Sequence, residues 1–256
     1  MPAVLLDLEG TLFAKGEALP GAADAVRTLR ERGFGVRFLT NIDSRQPAAV
    51  AAELAGIGLD LPVEDLFTPV SAARELFAGL PDAVVLPLVS TGLRAEFAHV
   101  AAEGDYTHVL VGDCRDVLDY AALDGAFRAL RAGAELVALQ RGRYFRRDDG
   151  DHVDTGAVVV GLEYAAGVRA RVLGKPSPDF FALAARSLGL AVADCVVVGD
   201  DATTDIAGGL AAGARTVQVR TGKYPAQYAE GLAAQAESVI DSIADLPALL
   251  TGGRSL

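Results

Sequence analysis

Short apolar runs rich in β-branched residues alternate with stretches whose apolar positions recur every three to four residues, almost from end to end. Strands are predicted at Ala3–Leu6, Gly35–Leu39, Ala83–Leu86, His108–Val111, Glu135–Leu139, Ala170–Leu173, Cys195–Val198, Thr216–Val219 and Ser238–Ile240. Helices are predicted at Pro20–Arg32, Pro47–Ala55, Ser71–Ala78, Leu93–Ala102, Tyr120–Ala132, Ala157–Ala166, Pro178–Leu188, Asp205–Ala212 and Ile243–Leu250. Arg143–Phe145 reads as a hairpin arm. Punctuation supports several of these bounds: Pro20 suits a first turn, Ala22, Val26 and Leu29 share a face, and Gly33 stops that helix. Continuous apolar strands alternating with helices indicate an α/β protein with doubly wound parallel sheets, covered on both faces. Two segments echo each other, HVLVGDC (108–114) and CVVVGDD (195–201). They are consistent with two separate sheets, or with Gly-Asp as a common exit from a parallel strand.

Composition narrows the class. At 256 residues the chain has room for one large domain, or for a domain with a sizeable insertion. A formal charge of −11 opposes binding to nucleic acid or to an anionic membrane, and favours a soluble, cytoplasmic protein. Cys114 and Cys195 each adjoin an apolar run, so buried thiols are expected, without a disulfide framework or a zinc set. The start, MPAVLLDLEG, lacks a basic region and a long apolar stretch, and no signal peptide is expected. No apolar run reaches the length of a membrane span. His99, His108 and His152 have no spacing that suggests a metal site.

In doubly wound sheets ligands bind beyond the carboxyl ends of the strands, so the residues that follow each apolar run matter most. The first run, VLLDLEGTL, ends in Asp7, with Glu9 two residues on. Thr40 and Asn41 follow the second, Lys175 follows Ala170–Leu173, and Asp200, Asp201 and then Asp205 follow Cys195–Val198. Together they form a set suited to phosphoryl transfer. An ionised Asp7 can attack phosphorus. Because anion then approaches anion, a cation is needed, and Mg²⁺ prefers a few hard oxygens. Asp7 and Asp200 can supply carboxylates and Glu9 its carbonyl. Lys175 adds a positive charge, and Thr40 and Asn41, with their backbone N–H groups free at a strand end, can bind a non-bridging oxygen.

DLEGTL, LTN, GKPSPDFF and GDDATTDIAGG resemble, in order, the four motifs of the haloacid dehalogenase superfamily. LEYAAG, VLGKPSPDFF, VQVRTGKY and the basic hairpin RGRYFRR extend the likeness to the C2-capped, NagD-like branch, in which a large cap is inserted between the second and third motifs. The likeness spans most of the chain and is weakest around residues 80–130. It implies a Rossmann-like catalytic core over residues 1–80 and 172–256, and a smaller α/β cap over 81–171. It also implies a Mg²⁺-dependent cycle in which Asp7 forms an aspartyl-phosphate that water hydrolyses. Capped members act on small phosphorylated molecules and often pair through their caps, so a homodimer is an expectation.

One position departs from the pattern. Most phosphatases of the superfamily carry a second aspartate where this chain has Glu9. Glu9 keeps the carboxyl but extends it by a methylene. The branch to which the likeness is greatest, phosphatases of phosphoramidates and pyrophosphate, often carries serine there. Good leaving groups need little protonation, so phosphoramidates, pyrophosphate and aryl phosphates are expected to be better substrates than alkyl phosphates. The alternatives are a weakly active or non-catalytic phosphate-binding member with an impaired Glu9, and a receiver-like domain that retains its phosphate, for which the chain is long. Asp201 and Asp205 are open between metal contact, orientation of the other acids and helix capping. The arginines of residues 141–147 are open between a solvated hairpin and a substrate-facing role, and the segment VRTGKY between an anion site and a turn.

Overall fold

The computed structural model describes residues 3–101, 104–147, 149–232 and 236–251, with Arg146 and Arg147 described by backbone alone. The chain forms two compact units: residues 1–40, 47–67 and 175–256, and residues 41–46 and 68–174.

The first unit is built on a six-stranded sheet in the order Ser238–Ile240, Arg215–Val219, Cys195–Gly199, Ala3–Asp7, Gly35–Leu39, Leu66–Phe67. All neighbours are parallel. Ala3–Asp7 and Cys195–Gly199 are buried along their whole length, which explains why both read as unbroken apolar runs. The chain leaves the central strand toward Gly35–Leu39, and returns to its other side at Cys195–Gly199. The order therefore reverses between these two strands, which is where α/β sheets open a crevice. Register sets what lines it. Leu6 lies opposite both Val198 and Phe38, and Asp7 opposite Leu39, so Asp7, Thr40 and Asp200 emerge at one sheet edge.

The second unit has its own parallel sheet, in the order Arg171–Val172, Glu135–Ala138, His108–Val111, Val85–Leu88. Its core joins Val109, Val111, Leu136 and Ala138 of the sheet to Ala126, Leu130, Val159 and Leu162 of the helices Tyr120–Arg131 and Thr155–Ala166. Each of these helices begins at an aspartate, Asp119 or Asp154, whose side chain accepts a backbone N–H of the first turn. The hairpin Tyr144–Arg147/Gly150–Val153 belongs to this unit. The two echoing Gly-Asp segments leave strands of different sheets.

Most predicted elements are present, with bounds shifted by up to three residues, and three segments differ locally. Residues 91–97 form a 3₁₀ helix in place of the predicted α-helix, whose expected end, Ala102, lies outside the described residues. The fourth-motif helix starts as a wide turn over Ala202–Ile206, in which the N–H groups of Asp205 and Ile206 both reach the Asp201 carbonyl. The hairpin Phe13–Ala14/Glu17–Ala18 turns through Lys15 and Gly16, both at positive φ, as tight two-residue hairpins require. Both cysteines are free and buried, and burial pushes each thiol up to about 11. No helix among the described residues is long and apolar enough to cross a membrane.

Candidate active site

The first motif folds into a tight loop as soon as its strand ends. The N–H groups of Thr11, Leu12 and Phe13 converge on the Leu8 carbonyl, and Gly10, at φ +90°, donates to Phe13 O at 2.7 Å. This coil returns Thr11 to the start of the loop, where its hydroxyl donates to Asp7 Oδ2 at 3.0 Å. Asp7 Oδ1 accepts from Lys175 Nζ. Asp7 is 7% exposed and Lys175 4%. Glu9, two residues on, is exposed to solvent.

Lys175 Nζ also donates to Asp205 Oδ1 at 2.6 Å, and Asp205 Oδ2 accepts the Asp201 N–H at 3.1 Å. Both Asp205 oxygens are therefore engaged. They hold the lysine and the fourth-motif loop, and Asp205 serves as an anchor between them. The glycine of Gly-Asp-Asp has a steric reason, because a Cβ on Gly199 would overlap the Asp205 side chain.

Asp200 sits between two glycines. A Cβ on Gly10 would lie 2.5 Å from Asp200 Cγ, and one on Gly222 would lie 2.7 Å from it. Asp200 Oδ2 accepts the Lys223 N–H at 2.6 Å. Asp201, beside it, accepts from Thr203 Oγ1, Gln227 Nε2 and Lys223 Nζ, which occupies both its oxygens.

The electrostatics follow from crowding. Burial, with repulsion from Asp7 and Asp205, pushes Asp200 up to about 8. Burial and the Asp7 charge likewise push Asp205 up to about 7, against the pull of Lys175. Burial alone would lower the Lys175 pKa, but Asp205 and Asp7 outweigh it and hold the ammonium charged. Asp201 moves the other way: burial is overcome by Lys223 and Gln227, which keep it well below the usual carboxylate range.

Oxygens of Asp7, Asp200 and Asp205 lie within 4.8 Å of one another. Hard carboxylate donors, buried and mutually repelling, fit a divalent cation such as Mg²⁺, whose charge would relieve that repulsion. Of the expected metal residues, Asp7 and Asp200 are in this cluster. Glu9 was expected to act through its carbonyl, and its side chain is not part of the cluster.

Thr40 is buried at the same sheet edge. Its N–H donates to Phe67 O at 3.1 Å, because the short strand Leu66–Phe67 extends the sheet there. The expectation of a free Thr40 N–H is corrected accordingly. Asn41 begins the segment 41–46 assigned to the second unit, and a Cβ on Gly174 would lie 2.6 Å from its Oδ1. In the basic hairpin, Arg141 is paired with the buried Glu163 at 2.6 Å, which gives that arginine a structural role. The Arg115 guanidinium lies 4.4 Å from the Phe145 ring centre and holds the hairpin to the unit. The side chains of Arg146 and Arg147 lie outside the described residues.

Thr11 and Gln227 have no individual signal in the sequence, and Gly222 and Lys223 lie in VRTGKY, which reads as an anion site or a turn and whose glycine after a strand is the local signal.

The fold and site define a haloacid dehalogenase-like hydrolase. The family model described as haloacid dehalogenase-like hydrolase matches residues 4–103, and the one described as HAD-hydrolase-like matches residues 172–246. Human phospholysine phosphohistidine inorganic pyrophosphate phosphatase is 31% identical over 255 residues, covering 96% of this chain and 93% of its own. The bovine haloacid dehalogenase-like hydrolase domain-containing protein 2 is 36% identical over 228 residues, 88% of this chain and 86% of its own. The chain belongs to this family. Among solved structures, the p-nitrophenyl phosphatase from Archaeoglobus fulgidus superposes with a TM-score of 0.88 at 26% identity, covering 97% of this chain and 98% of that one. NagD from E. coli shares the fold, with a TM-score of 0.86 at 24% identity and coverage of 96% and 98%.

Proposed function

We propose that this protein is a Mg²⁺-dependent phosphatase of small phosphorylated compounds that works through an aspartyl-phosphate at Asp7. The observation that carries the reading is the gathering of Asp7, Asp200 and Asp205 around Lys175 at one sheet edge. The names of the human relative and the archaeal structure, phosphatases of phosphoramidates, pyrophosphate and an aryl phosphate, support it.

An Asp7 carboxylate oxygen attacks phosphorus, a new O–P bond forms, and the bond from phosphorus to the leaving group breaks. Lys175 and Thr11, both bonded to Asp7, fix the nucleophile before attack. The Thr40 hydroxyl and the Lys175 charge favour the phosphoryl oxygens. Glu9 gives its proton to the departing oxygen or nitrogen. It then takes a proton from the water that attacks the acyl phosphate, which releases inorganic phosphate and restores Asp7. Mg²⁺, held by Asp7, Asp200 and the Glu9 carbonyl, would neutralise charge on the transferring group. Phosphoramidates, pyrophosphate and aryl phosphates are the favoured substrates, because their leaving groups ask least of Glu9. We assign residues 81–171, as the cap, to substrate selection.

The second unit also offers a surface for a second copy. The outer face of the helix Thr155–Ala166 exposes Ala157, Val160, Gly161, Tyr164 and Ala165, all uncharged, on a chain of net charge −11. Like-charged copies meet most easily where neither carries charge, and this face suits an isologous dimer. Sedimentation of the wild type and of Gly161→Arg tests it, since only the variant should be monomeric.

Phosphate release from pyrophosphate, phospholysine, p-nitrophenyl phosphate and sugar phosphates, with Mg²⁺ and with chelator, tests the function. Multiple turnover that needs Mg²⁺, and its loss by more than about 10³-fold in Asp7→Asn, is expected. A phosphoprotein that accumulates without turnover would favour a receiver-like role. Silence on the whole panel would favour a binding protein with a disabled Glu9.

A further inference from the structure

We propose that residues 221–227 form a positioning element for the cation site: the turn Thr221–Gly222–Lys223 and the side chain of Gln227 clamp the fourth-motif acids so that the Asp200 carboxylate is held for the metal. This deepens the Mg²⁺-dependent reading above and rests on it.

Thr221, Gly222, Lys223 and Gln227 each make a distinct contact. Thr221 Oγ1 donates to the Gly10 carbonyl at 2.5 Å, which ties the turn to the nucleophile loop. Gly222 lies at φ +57°, and a Cβ there would come 2.6 Å from Gly10 Cα as well as overlapping Asp200. Only glycine lets the turn close this far. The Lys223 N–H then binds Asp200 Oδ2, which fixes how this carboxylate is turned. Gln218 Nε2 donates to the Asp200 carbonyl at 3.0 Å and pins the same residue from the preceding strand.

The side chains of Lys223 and Gln227 act one residue further along. Lys223 Nζ donates to Asp201 Oδ2 at 2.8 Å, and Gln227 Nε2 to Asp201 Oδ1 at 2.8 Å. The Gln227 amide oxygen accepts the Ala202 N–H at 2.8 Å, so one side chain bridges Asp201 and the backbone beyond it. These bonds hold the Asp201 side chain in place, and we assign it to orienting Asp200. It becomes the fixed post from which Asp200 projects. Outer partners of this kind orient metal ligands, and their loss typically weakens metal binding by about 10–100-fold. Asp201 is 6% exposed at its side chain while Lys223 is 67% exposed, so replacing the lysine leaves no hole in the core.

The test is Mg²⁺ alone titrated calorimetrically into wild type, Lys223→Met, Lys223→Arg and Gln227→Leu, with thermal unfolding of each in chelator. Lys223→Met and Gln227→Leu should weaken Mg²⁺ binding by about 10-fold or more. Lys223→Arg should recover most of that loss, and at saturating Mg²⁺ the KM for substrate should move little. Unchanged Mg²⁺ affinity in both loss variants overturns the positioning role, as does a lower unfolding temperature with no change in affinity. Failure of the phosphatase reading looks different: wild type would bind Mg²⁺ and release no phosphate, and the affinity comparison would still decide this proposal.

Discussion

Gly222 and Asp200, far apart in sequence, are packed so closely that a single added methyl on the glycine would lie 2.7 Å from the aspartate Cγ. Gly222→Ala must displace the acid, and it also forces a side chain into a left-handed backbone at φ +57°. The expected cost is about 1–3 kcal/mol of stability, together with weaker Mg²⁺ binding. Denaturant unfolding and calorimetry on the same variant measure both. An alanine variant with wild-type values for each would mean that this packing is not required.

Lys175 is buried between two carboxylates, so its removal leaves charge without compensation. Lys175→Met should destabilise the Mg²⁺-free protein by about 3–5 kcal/mol, and should remove measurable turnover. Added Mg²⁺ should return part of the stability, because a cation supplies some of the lost positive charge. Unfolding curves with Mg²⁺ and with chelator check the sign of that recovery.

Glu9 is exposed beside the nucleophile loop and carries the proton traffic of the proposed cycle. Glu9→Gln should slow alkyl phosphates by about 10²–10⁴-fold. Pyrophosphate and p-nitrophenyl phosphate should suffer less, since their leaving groups depart as stable anions. A plot of log kcat/KM against leaving-group pKa should be steeper for the variant than for wild type. Equal slopes would remove Glu9 from the mechanism.

Asp43 lies in the second unit with its carboxylate buried, accepting the Thr155 hydroxyl at 2.7 Å. Burial pushes its pKa from 3.8 up to about 7. The folded protein therefore holds a proton that the unfolded chain gives up near pH 4. Stability from this group is full below pH 4 and falls as pH rises to about 7, by at most about 4 kcal/mol. Asp43→Asn should flatten that slope and raise the unfolding temperature at pH 8. A variant no more stable than wild type at pH 8 would refute this account of Asp43.

The first, second and fourth motifs were legible because each lies where a mainly apolar strand of one parallel sheet meets its first polar residue, and strand ends survive in a linear pattern, whereas Lys175 follows Arg171–Val172, a two-residue strand of the second unit's sheet. The strands Gly35–Leu39, His108–Val111 and Ser238–Ile240 coincide with their predicted bounds for the same reason. The two-residue strand Leu66–Phe67 and the six-residue helix Tyr224–Ala229 had too few positions to show a period. The first of these decides that the Thr40 N–H is used within the sheet, and the second carries Gln227 to Asp201.

By itself the sequence determined the α/β class, the order of the motifs and the types of group they deliver, because burial pattern and strand exit are local properties of a chain. Which oxygen of each acid is engaged and which residues stand behind the acids belonged to the tertiary structure. So did the reason that Gly10, Gly199 and Gly222 are glycines. Those facts depend on atoms brought within a few ångströms of one another from segments up to some two hundred positions apart, as Thr221 is brought to Gly10. No local spacing along the chain records such a meeting.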